Sequence, residues 1–241
     1  MDELIVKLKE VVNNSKYAVF FGGAGVSTES NIPDFRSENG LYNAMSKYGY
    51  SPEQMLSKSF YDDHTDTFYK YYKENLIYPD AKPNKAHLAL ANLEKKGILK
   101  GVITQNIDGL HQLGGSQNVV ELHGSIHRNH CTKCGKFYDL QYIIASEGIP
   151  KCSCGGTIKP DVVLYEEGLN QEDIYKAIDL IQHADTLIVG GTSLAVYPAA
   201  SFLNYFEGKN LVLINKSKTN YDKYATLVIN DSIGKVLGSV I

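Results

Sequence analysis

The chemistry this 241-residue chain can offer gathers in a cysteine cluster, a glycine-rich loop and a few polar residues just past short apolar runs. All four cysteines fall in one region, Cys131 and Cys134 in CTKCGK and Cys152 and Cys154 in KCSCGG. Two close pairs separated by a loop, each followed by glycine, suit Zn²⁺, which prefers four thiolates in a tetrahedron, two from each turn. A redox pair or two disulfides would not explain why every cysteine is grouped in one place. Four sulfurs close the coordination sphere, so such a zinc folds the chain rather than catalyses. The second knuckle is Cys-x-Cys, tighter than the first, and His127 and His130 are near enough in sequence to be substitute ligands.

The glycine loop lies in FFGGAGVSTESNIPDFR, residues 20–36. Gly22, Gly23 and Gly25 follow an apolar run directly, so the backbone can turn sharply, approach a ligand closely and aim N–H groups at an anion. No Gly-Lys-Ser/Thr ending is present, which excludes a P-loop. The dinucleotide fingerprint fits in part: the third glycine position is Thr28, and the acid expected about 20 residues on is missing around Asn43–Lys47. The loop therefore suits a dinucleotide that is not used for ordinary hydride transfer, and a tight structural turn accounts for the glycines equally well.

Short β-branched runs at Ala18–Phe21, Gly101–Thr104, Val119–Leu122, Thr186–Val189, Leu211–Ile214 and Thr226–Ile229 read as strands. Asn84–Lys96 reads as a helix capped by Asn84 and ended at Gly97, and Gln171–His183 as another with Ile174, Ala177, Ile178 and Ile181 on one side. Strands alternating with helices predict an α/β, doubly wound parallel sheet, in which ligands bind at the carboxyl ends of the strands. Two stretches break the alternation: a tyrosine-rich helical one and the cysteine region. They predict a smaller second domain over the ligand-binding edge.

The expected strand ends are uniformly polar: Asp34-Phe35-Arg36 beyond the glycine loop, Gln105-Asn106-Ile107-Asp108 after GVIT, His123-Gly124 after VVEL, Thr192-Ser193 after LIVG, and Asn215 after LVLI. His123 is the histidine in such a position, and an ordinary imidazole pKa of about 6.5 suits a general base near neutral pH. His64, His87, His111 and His183 fall on helices or their flanks, where surface or packing roles are expected. Asp108 has two readings, a ligand for a ribose or amide and an N-cap for a helix starting near Leu110.

The net charge of −3 argues against broad nucleic-acid binding. The N-terminus spaces Leu4, Ile5, Leu8, Val11 and Val12 along an amphipathic helix, with no signal peptide and no run of about 18 apolar residues, so a cytoplasmic protein without a membrane segment is expected.

GAGVSTESNIPDFR, TQNIDGLH, ELHGS, the paired cysteines, PDVVLYEE, GTSLAVYPAA and LINK resemble, in order and through nearly the whole chain, the sirtuins, NAD-dependent protein deacylases, in the manner of the bacterial deacetylases. The resemblance implies a Rossmann-like NAD-binding domain of residues 1–36, 83–123 and 160–241, with a helical module (37–82) and a zinc module (124–159) forming the small domain. It implies that NAD is consumed rather than reduced. Ala24, Gly25 and Thr28 would hold the pyrophosphate, and Phe35 and Arg36 would close over the nicotinamide ribose. Gln105, Asn106, Ile107 and Asp108 would form the nicotinamide and ribose pocket, with Asn106 joining His123 in catalysis. Thr192, Ser193, Asn215 and Asp231 would meet the adenosine end.

By the same resemblance the acyl-lysine oxygen attacks the ribose as nicotinamide leaves, and His123 serves as base for the ribose hydroxyls. The products would be lysine, nicotinamide and 2′-O-acetyl-ADP-ribose. The acetyl-lysine protein or peptide would lie as an added strand between Val163-Leu164-Tyr165-Glu166-Glu167 and the segment Ser193 to Val196, contacting Leu194, Ala195 and Val196. Departures from the family pattern are Gly22 for a threonine, Asn31 for a glycine, Tyr165-Glu166-Glu167 for Phe-Gly-Glu, and the Cys-x-Cys knuckle. Glu166 adds a charge that would favour basic peptides. Relatives that take succinyl or malonyl groups carry Tyr-x-x-Arg. Here Tyr72 stands at the arginine's place, which points to acetyl or a longer neutral chain; helix packing is the plainer account of this cluster, since Phe68, Tyr72 and Leu76 share a face. Rival readings are mono-ADP-ribosyl transfer, an NAD-sensing zinc module without turnover, and hydride transfer.

Overall fold

A computed structural model describes residues 2–33 and 45–240. The large domain is built on strands β1 (Ala18–Gly22), β2 (Leu99–Thr104), β3 (Val119–Glu121), β7 (Thr186–Gly190), β8 (Asn210–Ile214) and β9 (Leu227–Ile229). They form one parallel sheet in the order β3-β2-β1-β7-β8-β9. Every expected strand is present, shifted by at most two residues at an end. The order reverses between β1 and β7, the switch point at which such sheets open a crevice for a ligand.

Side-chain alternation explains the two covered faces. Ala18 and Phe20 of β1 enter one core with Leu8 and Val12 of helix α1 (Asp2–Asn14), while Val19 and Phe21 enter the other. The first core also takes Ala86, Ala89, Leu90 and Leu93 from the long helix Lys85–Lys95 and Val236 and Leu237 from the C-terminal helix Ile233–Gly238. The second takes Ala177, Leu180 and Ile181 from the helix Gln171–His183. Asn84 caps Lys85–Lys95 as expected: its Oδ1 accepts from Ala86 N at 2.9 Å, and Gly97 ends the helix at φ +74°. The side chain also reaches sideways, donating through Nδ2 to the Val26 carbonyl at 2.7 Å and to Ser30 Oγ at 2.9 Å, which ties the helix start to the glycine loop.

The two irregular stretches leave the sheet in the crossovers flanking the switch point. The helical stretch, between β1 and β2, includes α2 (Pro52–Met55), α3 (Lys58–Asp63) and α4 (Thr65–Asn75). The cysteine stretch, between β3 and β7, forms an antiparallel sheet β5-β4-β6 from β4 (Gly124–Cys131), β5 (Phe137–Tyr138) and β6 (Ile158–Val162). Both share a third core, in which Phe60, Phe68, Tyr69 and Tyr72 meet Ile126, Ile143 and Ile158. β6 crosses the boundary expected at residue 159: Pro160 and Val162 pair with β4, because Ile158, Pro160 and Val162 share the buried face. Phe68 and Tyr72 stack at 5.6 Å with both side chains buried, so the tyrosine cluster is packing, and the Tyr69 hydroxyl donates to the Ile158 carbonyl across the two modules.

His87 and His111 are both buried, with ring centroids 4.7 Å apart. Burial pushes the His87 imidazole down to about 4, against a smaller opposing pull from Asp108, and the His111 imidazole down to about 3. The unfolded chain therefore binds protons near pH 6.5 that the native state refuses, so stability is complete above that pH and is lost as pH falls towards 4. The slope is about 1.4 kcal/mol per pH unit for each group. Urea midpoints measured from pH 7 to pH 5 are expected to fall steeply, and a His111→Phe variant to show a shallower slope; parallel slopes would remove His111 from the account.

Candidate active site at the switch point

The glycine loop and the loop after β2 meet at one serine. Ser27, 1% exposed, donates from Oγ to Asp108 Oδ2 at 2.6 Å and accepts from Asn106 Nδ2 at 3.0 Å. Asp108 Oδ1 accepts from Leu110 N at 2.9 Å, opening the short helix Leu110–Leu113. The helix-start reading of Asp108 is thus observed through one oxygen, while the other is taken by Ser27 within the chain. Ser27 is a site residue that the motifs do not single out; a hydroxyl two residues past Gly25 is its only signal in the sequence.

His123 follows β3 with its Nδ1 2.9 Å from the Gln105 carbonyl. A carbonyl only accepts, so Nδ1 carries the hydrogen and Nε2 the basic lone pair. Gly124, next to it, has φ +75°, and an added Cβ would lie 1.9 Å from the Asp161 carbonyl, so only glycine lets β4 begin there. Ile107 packs on the small-domain core, and its carbonyl accepts from Ile126 N at 3.0 Å. His127 directs Nε2 to the Asp108 carbonyl at 3.0 Å and His130 meets the Phe137 ring edge-on, so neither joins the cysteines.

The glycine loop departs from expectation in one respect. Gly25 N donates to the Gly191 carbonyl at 2.8 Å, and a Cβ on Gly25 would lie 2.8 Å from Gly191 Cα. Its lack of a side chain lets the turns after β1 and β7 touch; its N–H is committed to the chain rather than aimed at an anion. Thr28 closes the turn, Oγ1 donating to the Gly25 carbonyl at 3.0 Å, with Ala24 opening it. Asn31 adopts φ +63°, the left-handed conformation that glycine takes without strain and asparagine tolerates better than most residues. Phe35 and Arg36 lie outside the described residues.

On the β7 side, Gln105 Nε2 donates to Thr192 Oγ1 at 3.2 Å, and Thr192 N donates to Asn215 Oδ1 at 2.9 Å. Asn215 Nδ2 is buried with no hydrogen-bond partner among the described residues, an orphaned donor of the kind a ribose hydroxyl satisfies. Ser193 is exposed there. Asp231 spends its carboxylate within the chain, on Ser232 N at 2.8 Å and Lys235 Nζ at 2.5 Å.

The segments expected to flank a peptide are both present. Val163 N donates to the His123 carbonyl at 3.0 Å, Val163 packs on the large-domain core and Leu164 is buried in the small-domain core. Leu194 holds φ +57° and Glu166 φ +75°; Ala195 and Val196 continue the second segment. Glu166 does not stand free at a peptide edge, because its carboxylate is taken by Ser59.

The four cysteine sulfurs lie within 4.8 Å of one another, with Cys131–Cys154 at 3.5 Å and Cys134–Cys152 at 3.6 Å. A tetrahedron of Zn–S bonds near 2.3 Å has edges of about 3.8 Å, so the Cys-x-Cys knuckle fits the ion. Tyr138 Oη donates to Cys152 Sγ at 3.0 Å, the outer support that orients a ligating thiolate.

Known proteins are similar to this chain in sequence and in fold. The model of the Sir2 family matches residues 23–198. The "NAD-dependent protein deacetylase" of Clostridium perfringens is 62% identical over 243 residues, covering 100% of each chain. A Sir2 variant solved with a deacetylated p53 peptide and 3′-O-acetyl-ADP-ribose superimposes with a TM-score of 0.88 at 39% identity, over 98% of this chain and 96% of that one. A Sir2–p53 peptide–NAD⁺ complex gives 0.85 at 38%, over 96% and 94%.

Proposed function

The chain belongs to the Sir2 family, and on that premise we propose that it is an NAD-dependent protein lysine deacetylase converting acetyl-lysine and NAD to lysine, nicotinamide and 2′-O-acetyl-ADP-ribose. The observation that carries the reading is the set of polar side chains at the switch point, where Ser27 joins Asn106 and Asp108 and the Gln105 carbonyl orients His123. NAD supplies an activated ribose whose leaving group is nicotinamide. Ala24, Gly25 and Thr28 lie at its pyrophosphate, Gln105, Asn106, Ile107 and Asp108 at nicotinamide and ribose, and Thr192, Ser193 and Asn215 at the adenosine end. Phe35, Arg36 and Asp231 belong to the same assignment. The buried donor Asn215 Nδ2 supports it.

His123 Nε2 takes a proton from a ribose hydroxyl, Nδ1 remaining bonded to the Gln105 carbonyl. The peptide enters as a strand between Val163–Glu167 and Leu194–Val196, where main-chain pairing tolerates many sequences. A groove of about 550 Å³ opens beside Asp108, walled by Ile32, Leu76, Ile126 and Leu140. Arg128 on its wall is paired with Glu121 at 2.6 Å and Asp161 at 2.8 Å. Cys131, Cys134, Cys152 and Cys154 hold a structural Zn²⁺. The domain division follows the sequence boundaries, with the small domain extended to Val162. No helix among the described residues is long and apolar enough to cross a membrane, and we assign the enzyme to the cytoplasm.

Mass spectrometry of the protein with NAD and an acetyl-lysine peptide tests the reading. Loss of the acetyl mass with matching nicotinamide and O-acetyl-ADP-ribose is expected. NAD cleaved while the peptide stays acetylated and protein gains ADP-ribose would replace it with ADP-ribosyl transfer. No cleavage with any acyl-peptide would leave a binding module.

Ser27 gives a sharper check on the pocket. Ser27→Ala removes one bond from each of Asn106 and Asp108 without touching the β-sheet, and is expected to raise the KM for NAD roughly tenfold. An unaltered NAD KM would reduce Ser27 to packing.

A further inference from the structure

Glu166 is the residue in the peptide-receiving segment whose backbone is hardest to explain without its side chain. At φ +75° it occupies the left-handed region, which a non-glycine residue enters at a cost and keeps only when its surroundings hold it there. The surroundings are specific. Glu166 Oε2 accepts from Ser59 N at 2.9 Å and Oε1 accepts from Ser59 Oγ at 2.9 Å. Ser59 lies in the first turn of α3, where unpaired N–H groups favour a carboxylate. Two main-chain bonds run alongside, Lys58 N to the Tyr165 carbonyl and Tyr165 N to the Leu56 carbonyl, each 2.9 Å. The segment is therefore pinned to the helical module at its far end and to His123 at its near end, through Val163 N at 3.0 Å. Glu167 stiffens the turn between them, its Oε2 accepting from Leu164 N at 2.9 Å and from Lys159 Nζ at 3.1 Å.

We propose that Glu166 is a positioning residue: its carboxylate latches Val163–Glu167 onto α3 and so holds the peptide-receiving edge in register with His123. The proposal rests on the reading of Val163–Glu167 as the peptide edge. Both carboxylate oxygens are bonded to neutral donors within the chain, so Glu166 has a structural role beside the negative charge it keeps at this edge. A latched edge is ordered before the peptide arrives, so less ordering entropy is lost on binding.

The test compares Glu166→Gly, Glu166→Gln and the parent enzyme, with peptide KM at saturating NAD, NAD KM at saturating peptide, and hydrogen exchange over 163–167 with and without acetyl-lysine peptide. Glycine takes φ +75° without strain, so Glu166→Gly keeps the backbone path while removing the latch, and Glu166→Gln reports on the latch without glycine's added backbone freedom. Expected are a rise in peptide KM of roughly tenfold, an unmoved NAD KM, and faster exchange over 163–167 in the unliganded variant. Glu166→Gln, whose amide oxygen still accepts from Ser59 N, should restore part of the peptide KM. Peptide KM within about twofold of the parent in Glu166→Gly overturns the latch, provided that peptide protects 163–167 in the parent. Absence of that protection in the parent instead overturns the peptide-edge reading, and the latch with it.

Discussion

His123→Ala is expected to lower kcat/KM for an acetyl-lysine peptide by roughly 10²–10⁴-fold, the range set by losing a positioned general base. The loss should fall on chemistry rather than on folding. His123 is half-buried, and its carbonyl receives Val163 N at 3.0 Å, a main-chain bond that alanine keeps. The side chain directs Nδ1 to the Gln105 carbonyl at 2.9 Å, which selects the tautomer with Nε2 as acceptor. Thermal melting should therefore shift little while products of turnover vanish. A variant that melts like the parent and retains more than about a tenth of its kcat/KM would remove His123 from the proton transfer.

Stripping the metal should be nearly as damaging, by a different route. Cys131 and Cys152 are buried within the small-domain core that also holds Phe68 and Tyr138, whereas Cys134 and Cys154 face solvent. Without the ion, four sulfurs 3.5 and 3.6 Å apart have nothing to draw them together, and β4 and β6 lose the knuckles that close their ends. The same core carries the helical module and Leu164, so loosening it reaches the peptide edge. Chelation, or Cys131→Ser, is expected to lower the melting temperature by roughly 10 °C or more and to abolish turnover together. Elemental analysis should find one zinc per chain in the untreated protein. A metal-free preparation with unchanged melting would show that packing alone holds the module.

Features set by neighbours along the chain are legible in the sequence. The helical periodicity of Gln171–His183, the cap at Asn84, the stop at Gly97 and the cysteine spacing all depend on contacts within a few residues, so their patterns are written in short stretches. The strands are legible for the same reason, and the carboxyl-end rule then places His123, Asn106 and Asp108 on one edge. Sequence patterns mislead where a side chain's partner comes from elsewhere. Gly25 reads as a donor for an anion, but its N–H faces Gly191, brought alongside by the pairing of β1 with β7. Glu166 reads as a loose charge, but Ser59 holds it.

The sequence by itself determined the elements, the grouping of the four cysteines, the polar character of the strand ends and, through its motifs, the family. Tertiary structure alone decided that Ser27 would bridge Asn106 and Asp108, that Asn84 would brace the glycine loop, and that Glu166 would close on Ser59 across 107 residues of chain. The physical reason is range. Periodicity and capping are local preferences that repeat along the chain. A hydrogen bond between distant residues exists only after sheet order and core packing have brought its two ends within about 3 Å.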